Sequence, residues 1–449
     1  MKEKLQKHPI LSGAMLLTAT GILTRLIGFF YKIFLSREVG AEGLGIYQLI
    51  FPITGICFSL TSAGIQTAIS RYASKSFGTK NYTEAKSYLQ IGLFISVTLS
   101  LITGAFLFTY ADFIANICLK EPRCASLLKI ISFAYVPCSV HACLNGYFYA
   151  KKKAAIPAFS QLAEQLVRVG SVYLIDRILA DQGKNISISL AVTGLVFGEI
   201  AGMLISVSFS GIRLDLVPKF SYGKELLSMA IPLTATRLVI NLFNSIENVL
   251  IPSRLRIFGY TQAEALSVFG VLTGMSLAII MFPSVITNSI SVILLPTISE
   301  AQATHNNTAI QKAIRRTIIS CLVLGFVACI GFLLTGTFIG NYIFQNALAG
   351  TFIKTLSWIC PFLYLSSTLN SILHGLGYMK ATFFIGLMGC SIRIVFVYLG
   401  IPYIGISAYL YGLITSQIAM AGMAFYILSG FTKKRGCKKT PLKEKSLRP

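Results

Sequence analysis

The sequence predicts an all-α polytopic membrane protein with about twelve transmembrane helices in two pseudo-symmetric six-helix lobes. Apolar residues make up 54% of its 449 positions, whereas charged residues make up only 12%. The mean hydropathy is +0.71. A helix needs about 20 mainly apolar residues to cross a bilayer, and such runs recur along the whole chain. The loops between them are short, so no soluble domain is expected between the spans.

The predicted spans follow one another in chain order. Each is long enough to cross a bilayer, and none alternates with period two as a transmembrane β-strand does. They cover residues 10–35, 45–70, 88–110, 125–150, 157–179, 187–210, 226–251, 266–297, 315–340, 352–375, 381–400 and 403–429. The first run continues through Arg25 to Leu35 without a small-residue cleavage site, so it is interpreted as an uncleaved span.

The basic residues predict the orientation of these spans. When loops are assigned to alternate sides, one side receives the N-terminal lysines, Lys151 to Lys153 and the tail from Lys433 to Arg448, and the other receives far fewer. Basic loops remain in the cytoplasm, so both termini are predicted to be cytoplasmic in a multi-pass protein of the cell membrane. Topology thereby explains the net charge of +23, and no nucleic acid partner is expected.

Short internal similarities predict a duplication. Residues 24–27 resemble residues 236–239 at an offset of 212, and residues 128–133 resemble residues 353–358 at an offset of 225. The alternative is a chance similarity between short apolar segments. A repeat of six spans inserts both copies in the same orientation, and such transporters bind substrate between the halves. The predicted parts are an N-terminal lobe over 1–211, a cytoplasmic linker over 212–225, a C-terminal lobe over 226–430 and a basic tail over 431–449.

Two arginines lie inside otherwise uncharged runs, Arg25 on the first span and Arg237 at the corresponding place on the seventh. A guanidinium stays charged in a protein, and placing one at mid-bilayer costs about 2.5–3.5 kcal/mol on insertion scales. Each is therefore expected to face a wet cavity instead of lipid. Together they predict a cavity that binds an anion.

Other polar residues recur at helical spacing on the first, second, seventh and eighth spans, which places them on common helix faces. The predicted substrate-binding residues are Arg25, Lys32, Ser62, Gln66, Arg237, Asn241, Asn244, Asn248 and Asn288. Hydrogen bonding between helices is the alternative role for such side chains. Several of them on one arc with a cation favour a cavity wall.

The buried carboxylates have more than one interpretation. Glu247 either binds a coupling cation or proton, or it balances an arginine. Glu164 and Arg168 are four residues apart on the fifth span, so a structural ion pair is predicted. Glu199 and Arg393 are predicted to be solitary structural residues.

Enzymatic chemistry is not supported by any motif. The chain has no GxxxxGK[ST] phosphate loop and no HExxH sequence, and its four histidines lack ligand spacing, so no cofactor and no metal site are predicted. The ten cysteines include no CxxC motif; Cys118 and Cys124 flank one outer loop, and free thiols are favoured over a bridge there. Energy for transport is expected from an ion gradient, the membrane potential or the substrate gradient.

Several segments resemble a known family. They are residues 21–32 (GILTRLIGFFYK), 40–48 (GAEGLGIYQ), 61–65 (TSAGI), 282–285 (FPSV) and 295–301 (LPTISEA). With them the chain resembles the stage V sporulation protein B group, in the polysaccharide transporter branch of the multidrug/oligosaccharidyl-lipid/polysaccharide superfamily. The resemblance covers the whole chain, and the first two spans are its most specific part.

The resemblance implies an inverted-V bundle around a central cavity and alternating-access export of a polyprenyl-pyrophosphate-linked sugar, a cell-wall, spore-cortex or exopolysaccharide precursor. It also implies that Arg25 matches an essential arginine of the lipid II flippases, with Arg237 as its counterpart. Those flippases have fourteen spans and a lipid groove formed by the last two. The present chain has twelve predicted spans, so the groove is not expected. A cation-coupled multidrug antiporter and a non-transporting cell-wall scaffold are the alternatives.

Overall fold

The computed structural model of this chain describes residues 9–181, 187–211, 222–284, 286–287 and 307–436. Within these ranges every regular element is a helix. In chain order the long helices are α1 (Pro9–Glu38), α2 (Gly40–Gly78), α3 (Tyr82–Thr109), α4 (Cys124–Ala150), α5 (Ala155–Asp181), α6 (Ile188–Ser208), α7 (Gly223–Phe258), α8 (Gln262–Ile280), α9 (Asn307–Phe338), α10a (Ala347–Ser357), α10b (Cys360–Gly375), α11 (Met379–Ile404) and α12 (Ser407–Gly436).

These helices confirm the predicted polytopic all-α class. Ten of them are long and apolar enough to cross a membrane, and the pair α10a and α10b passes the same test as one span bent by 60°. The remaining long helix, α5, has 27 residues and carries Glu164 and Arg168 near its middle. We interpret it as a span because its neighbours in the chain, α4 and α6, are both candidate spans.

Helix boundaries follow local sequence signals. Asn81 accepts a hydrogen bond from the main chain of Glu84 at the start of α3, as a capping asparagine does. Thr261 and Glu264 form a reciprocal capping box at the start of α8. Gly259 ends α7 with a φ of +119°, a conformation that a side chain would disfavour.

The helices form two groups of six, α1–α6 and α7–α12. Most of them pack chiefly within their own group, whereas α7 and α8 also pack extensively against α2 of the other group. Irregular turns recur in the two groups at the offsets seen in the sequence. A π-helical turn at Ser59–Ala63 in α2 corresponds to one at Val271–Ser276 in α8. Another at Ile114–Cys118 after α3 corresponds, at an offset of 225, to one at Ile339–Ile343 after α9. The matching irregularities support the duplication more strongly than the weak sequence identity does.

The groups meet closely at the end of the bundle where α1 ends and α2 begins, here called the distal end. There α2 packs against α8, and a Cβ atom at Gly45 would overlap the carbonyl oxygen of Leu266. A Cβ atom at Gly270 would likewise overlap the carbonyl oxygen of Ala41. The two glycines therefore allow main chain to contact main chain, which closes this end of the bundle.

Polar contacts reinforce the distal closure. The Arg37 guanidinium at the end of α1 donates to the carbonyl oxygen of Ile343, at 2.8 Å from Nη2 and 3.0 Å from Nε. On the other side Gln262 Nε2 donates to Glu121 Oε2 at 2.7 Å. Burial alone raises the pKa of Glu121, but hydrogen bonds from Arg123 and Gln262 outweigh it and hold that pKa below its ordinary value. The acceptor at this contact is therefore ionised at neutral pH.

Several sequence-based predictions fall partly or wholly outside the described residues. They concern the N-terminal lysines, the eighth span from position 288 onward, Asn288, the linker at positions 212–221 and the tail at positions 437–449. The lobe and linker boundaries stay predictions.

Candidate functional site

A cavity of about 620 Å³ lies between α1, α2, α5 and α8. Its wall also includes Leu195 of α6. The polar residues on the wall are Thr24, Arg25, Tyr31, Lys32, Tyr47, Gln48, Gln165, Arg168, Thr273 and Ser284. Because α1, α2, α5 and α6 belong to one lobe and α8 to the other, the cavity lies between the two lobes, as expected for a transporter built from parallel repeats.

The cavity wall is basic. Arg25, Lys32 and Arg168 all line it, and none of its lining residues is acidic. Within the described part of the chain, neither Arg25 nor Lys32 makes an ion pair with an acidic side chain. Arg168 has one acidic partner, Glu164, whose Oε1 lies 2.5 Å from Arg168 Nη2. With one carboxylate for three cations, the site carries an excess of positive charge in a low-dielectric setting, where an anion is strongly attracted.

Several polar atoms on this wall lack hydrogen-bond partners. The Tyr31 hydroxyl, Gln48 Nε2 and Arg168 Nε are buried and make no hydrogen bond. A buried polar atom without a partner costs about 1–3 kcal/mol, and all three of these atoms are able to donate. Two of the three are permanent donors, so an acceptor-rich ligand such as a phosphate would satisfy them.

The sequence places the basic residues by simple helix geometry. Arg25, Gly28 and Lys32 are separated by three and four residues, so they share one face of α1. Gly28 in the middle of this face lets α5 approach, because a Cβ atom there would lie 3.3 Å from Gln165 Nε2. The same face therefore presents two cations and brings α5, with Arg168, to the cavity.

Arg237 and Asn241, also predicted to bind substrate, bond to α2 in this conformation and do not line the cavity. Arg237 Nη1 donates to the carbonyl oxygen of Ala63 at 3.1 Å. Asn241 Nδ2 donates to Ser59 Oγ at 2.7 Å and to the carbonyl oxygen of Gly55 at 3.1 Å. These bonds fall at the π-helical turn of α2, and they join the second lobe to the first on the side away from the distal closure.

The other predicted binding residues that the structure describes are also away from the cavity wall. Ser62 is buried with its hydroxyl 3.1 Å from that of Thr61, and Gln66 packs where α2 meets Gly146 of α4. Asn248 Nδ2 donates to the carbonyl oxygen of Asn244 at 2.9 Å. Among the predicted residues within the described ranges, Arg25 and Lys32 are therefore the two that the structure brings together at the cavity.

Glu247 balances an arginine in this structure. Its carboxylate accepts from Arg393 Nε at 2.8 and 3.0 Å and from the Tyr409 hydroxyl at 2.6 Å. The Asn244 side-chain oxygen lies 3.4 Å from Arg393 Nη2. Arg393 was expected to be solitary and instead joins α11 to α7. This network satisfies both charges inside the second lobe, at a distance from the basic cavity wall.

Sequence reasoning missed the cavity role of Arg168, Gln165 and Tyr31. Arg168 was assigned to an ion pair, which is correct, but its guanidinium also reaches the cavity. One signal was present in the sequence: Arg168 and Arg393 are separated by 225 positions, the offset of the internal repeat. An arginine at the same place in both halves indicated a role beyond the ion pair with Glu164.

Comparisons with known proteins agree with this architecture. The chain is 27% identical over 425 residues to stage V sporulation protein B of Bacillus subtilis (strain 168), covering 92% of this chain and 82% of that protein. It is 24% identical over 419 residues to the lipid II flippase MurJ of the same organism, covering 86% of this chain and 76% of that protein.

Among solved structures, the inward-facing conformation of a multidrug resistance MATE family transporter of the MOP superfamily superposes with a TM-score of 0.78 at 13% identity, covering 95% of this chain and 100% of that one. At such low identity the likeness establishes the fold alone. Residues 10–302 match the profile of the polysaccharide biosynthesis protein family. Since this match extends over more than half of the sequence, the chain belongs to the polysaccharide biosynthesis protein family.

Proposed function

We propose that this protein moves an anionic lipid-linked oligosaccharide across the cell membrane by alternating access. The observation that carries the proposal is the cavity wall, which combines Arg25, Lys32 and Arg168 with no acidic lining residue. In this proposal the three cations bind the pyrophosphate by charge-assisted hydrogen bonds. The amides of Gln48 and Gln165 and the Tyr31 hydroxyl face the first sugar.

The size of the cavity favours a headgroup over a whole lipid. A volume of about 620 Å³ lies within the range of small-molecule sites, and a long polyprenyl chain exceeds it. The chain therefore stays in the bilayer while the polar headgroup crosses. The relatives named as a sporulation protein and as a lipid II flippase are compatible with a cell-wall or spore-cortex precursor.

In this structure the contact between α2 and α8 closes the distal end. Movement of the headgroup to the distal side requires separation of Arg37 from Ile343 and of Gln262 from Glu121. With both termini in the cytoplasm, as the loop charges indicate, the distal side is extracellular. The membrane potential contributes about 2.3 kcal/mol per charge per 100 mV, and this drives an anion outward. No catalytic role is part of the proposal.

The cavity wall argues against a multidrug antiporter for cationic compounds. Such a site needs a carboxylate to attract the drug, and the lining residues include none. A scaffold without transport would not explain a basic cavity between two lobes.

Transport in proteoliposomes tests the proposal. A fluorescent polyprenyl-pyrophosphate disaccharide is incorporated with the purified protein, and its arrival in the outer leaflet is followed by an enzyme that cleaves the sugar. We expect Arg25→Ala to slow arrival by about tenfold or more, since a hydrogen bond to a charged group contributes about 1.5–3 kcal/mol.

Arg177→Ala is the matched control. Arg177 lies on α5 and bonds to Tyr173 at 3.0 Å, outside the cavity, so this variant is expected to transport as the wild type does. Equal transport by wild type and Arg25→Ala, at equal reconstitution, would overturn the proposal.

A further inference from the structure

A second buried polar cluster lies behind the cavity, between α4, α5 and α6. It consists of His141, Glu164 and Glu199, whose nearest nitrogen and oxygen atoms all lie within 4.8 Å of one another. His141 Nδ1 is 3.7 Å from Glu199 Oε2 and 3.9 Å from Glu164 Oε2. His141 is 6% exposed, and the side chains of Glu164 and Glu199 are 15% and 20% exposed, so the cluster is largely buried.

Small residues on α6 make this proximity possible. A Cβ atom at Gly202 would lie 2.7 Å from the His141 ring, and one at Gly198 would lie 2.8 Å from the carbonyl oxygen of Glu164. The two glycines are one helical turn apart and flank Glu199. The sequence of α6 thus brings its carboxylate against both α4 and α5.

The hydrogen bonds place a proton on Nε2 of His141. Ser160 Oγ donates its one proton to the carbonyl oxygen of Pro157 at 3.0 Å. It must therefore accept from His141 Nε2, 3.1 Å away. In a neutral ring with a proton on Nε2, Nδ1 carries a lone pair. That lone pair faces two carboxylate oxygens, and no described residue donates a hydrogen bond to it.

When the ring is neutral, its Nδ1 and the two carboxylates are three acceptors that face one another with no positive charge between them. Other groups close to the ring on each packed helix do not supply it. Cys138 on α4 and Ser160 on α5 offer a thiol and a hydroxyl, neither of which carries a positive charge. Arg168 on α5 is a cation, but it bonds to the opposite oxygen of Glu164. Two carboxylates and one arginine leave a net charge of −1, which a single proton on Nδ1 neutralises.

We propose that His141, Glu164 and Glu199 form a proton-binding site that is coupled to anion binding in the cavity through Arg168. A proton binds the Nδ1 lone pair to give an imidazolium between the two carboxylates, and no covalent bond is broken. Glu164 then shares its charge between the imidazolium and Arg168. The guanidinium of Arg168, which lines the cavity, becomes more available to an anion.

Linkage makes this coupling reciprocal: a proton at the cluster strengthens anion binding, and an anion in the cavity promotes protonation. A unit charge added this close to the cavity, at an effective dielectric constant of about 20, is expected to change the affinity for an anion roughly tenfold. The coupling rests on the proposed function, because it assumes that the cavity binds an anion. Protonation of the cluster itself does not depend on that assumption.

Two measurements test the protonation of the cluster and its coupling to anion binding separately. In the first, protein with ¹⁵N-labelled histidine in nanodiscs is titrated by NMR, and the His141 signals are assigned by their loss in His141→Gln. We expect the Nδ1 signal to change from that of a bare nitrogen to that of a protonated one within the titration range. A ring that stays in one neutral form throughout would overturn the proposal.

In the second, geranylgeranyl pyrophosphate binding is measured by calorimetry at pH 8 and pH 6, in buffers of different ionisation enthalpy. We expect about tenfold tighter binding at pH 6 and net proton uptake for the wild type, relative to His141→Gln. His374→Gln, which alters a histidine of α10b, is the matched control and should behave as the wild type. The ionisation of the probe itself is the same in every experiment. A difference between variants therefore reports protonation of the protein.

Glu199→Gln provides a second variant whose shape is conserved. Removal of one carboxylate should lower the proton affinity of His141 and shift the pH midpoint of probe binding downward. An unchanged midpoint would overturn the proposal. Replacement of sodium chloride by choline chloride at pH 8 should leave the affinity for the probe unchanged. If Na⁺ instead changes the affinity, and Glu199→Gln abolishes that effect, the cluster binds a metal cation and not a proton. Titration of His141 without any probe binding would overturn both the coupling and the proposed function.

Discussion

Arg168 on α5 and Arg393 on α11 occupy equivalent positions of the two lobes, 225 residues apart, and each bonds to one glutamate. Their surroundings differ. Arg168 pairs with Glu164 of its own helix and lines the cavity, whereas Arg393 pairs with Glu247 of α7. Both lobes therefore have an arginine at this position. Arg168 lines the cavity, whereas Arg393 joins two packed helices.

The Glu247 pair should stabilise the fold. Its side chain is 5% exposed, so Glu247→Ala leaves Arg393 buried without a counter-charge, at a cost of about 3–5 kcal/mol. We expect a clear fall in the unfolding temperature in detergent, and a smaller fall for the double variant Glu247→Ala/Arg393→Ala. Glu264→Ala, which removes an exposed capping residue, is the control. A stable Glu247→Ala protein would contradict this role.

Arg237 should affect transport more than binding. Because it bonds to Ala63 of α2 and lies away from the cavity wall, Arg237→Ala should bind geranylgeranyl pyrophosphate within about twofold of the wild type, a difference well under 1.4 kcal/mol. Transport in proteoliposomes should fall, since a tie between the lobes is lost. A loss of affinity as large as that of Arg25→Ala would place Arg237 in the binding site.

The glycine contact at the distal end should be sensitive to a single methyl group. Gly45→Ala places a Cβ atom against the carbonyl oxygen of Leu266, so α2 and α8 must separate. We expect a lower unfolding temperature and weaker transport. Gly21→Ala is the matched control, because no atom lies within 4 Å of a Cβ atom there. Equal effects of the two substitutions would contradict a closely packed distal end.

Cys118 reports the orientation. Among the described cysteines it is the exposed one, and Cys124 is a buried free thiol. If the distal end is extracellular, a membrane-impermeant maleimide should label Cys118 in intact cells. Cys118→Ser should abolish that labelling. Labelling that requires permeabilised cells would show that the chain is inserted the other way.

Much of the fold was predictable because hydrophobic runs and loop charges are local signals. The bend between α10a and α10b and the π-helical turns were not predicted, since they depend on packing between helices. Arg25 and Lys32 both line the cavity because they share one face of α1, and their role in binding stays a prediction. The asparagines of α7 also share a face. Their helical spacing in the sequence does not show whether a partner helix or a cavity lies against that face.

The cluster around His141 was also not predictable from the sequence. His141, Glu164 and Glu199 lie on three different helices, and no sequence spacing connects them. Only the close approach of α6, through Gly198 and Gly202, brings the three together. Glu199 therefore looked solitary in the sequence, although it lies 3.7 Å from His141 Nδ1.

The most direct test of the account is a cryo-electron microscopy map of the protein with bound geranylgeranyl pyrophosphate. We expect pyrophosphate density within hydrogen-bonding distance of Arg25 and Lys32, in the cavity between α1, α2, α5 and α8. A second basic pocket near the distal end, lined by Lys120, Arg254 and Arg256, offers a clear alternative location. Density there, with the central cavity free of ligand, would contradict the account.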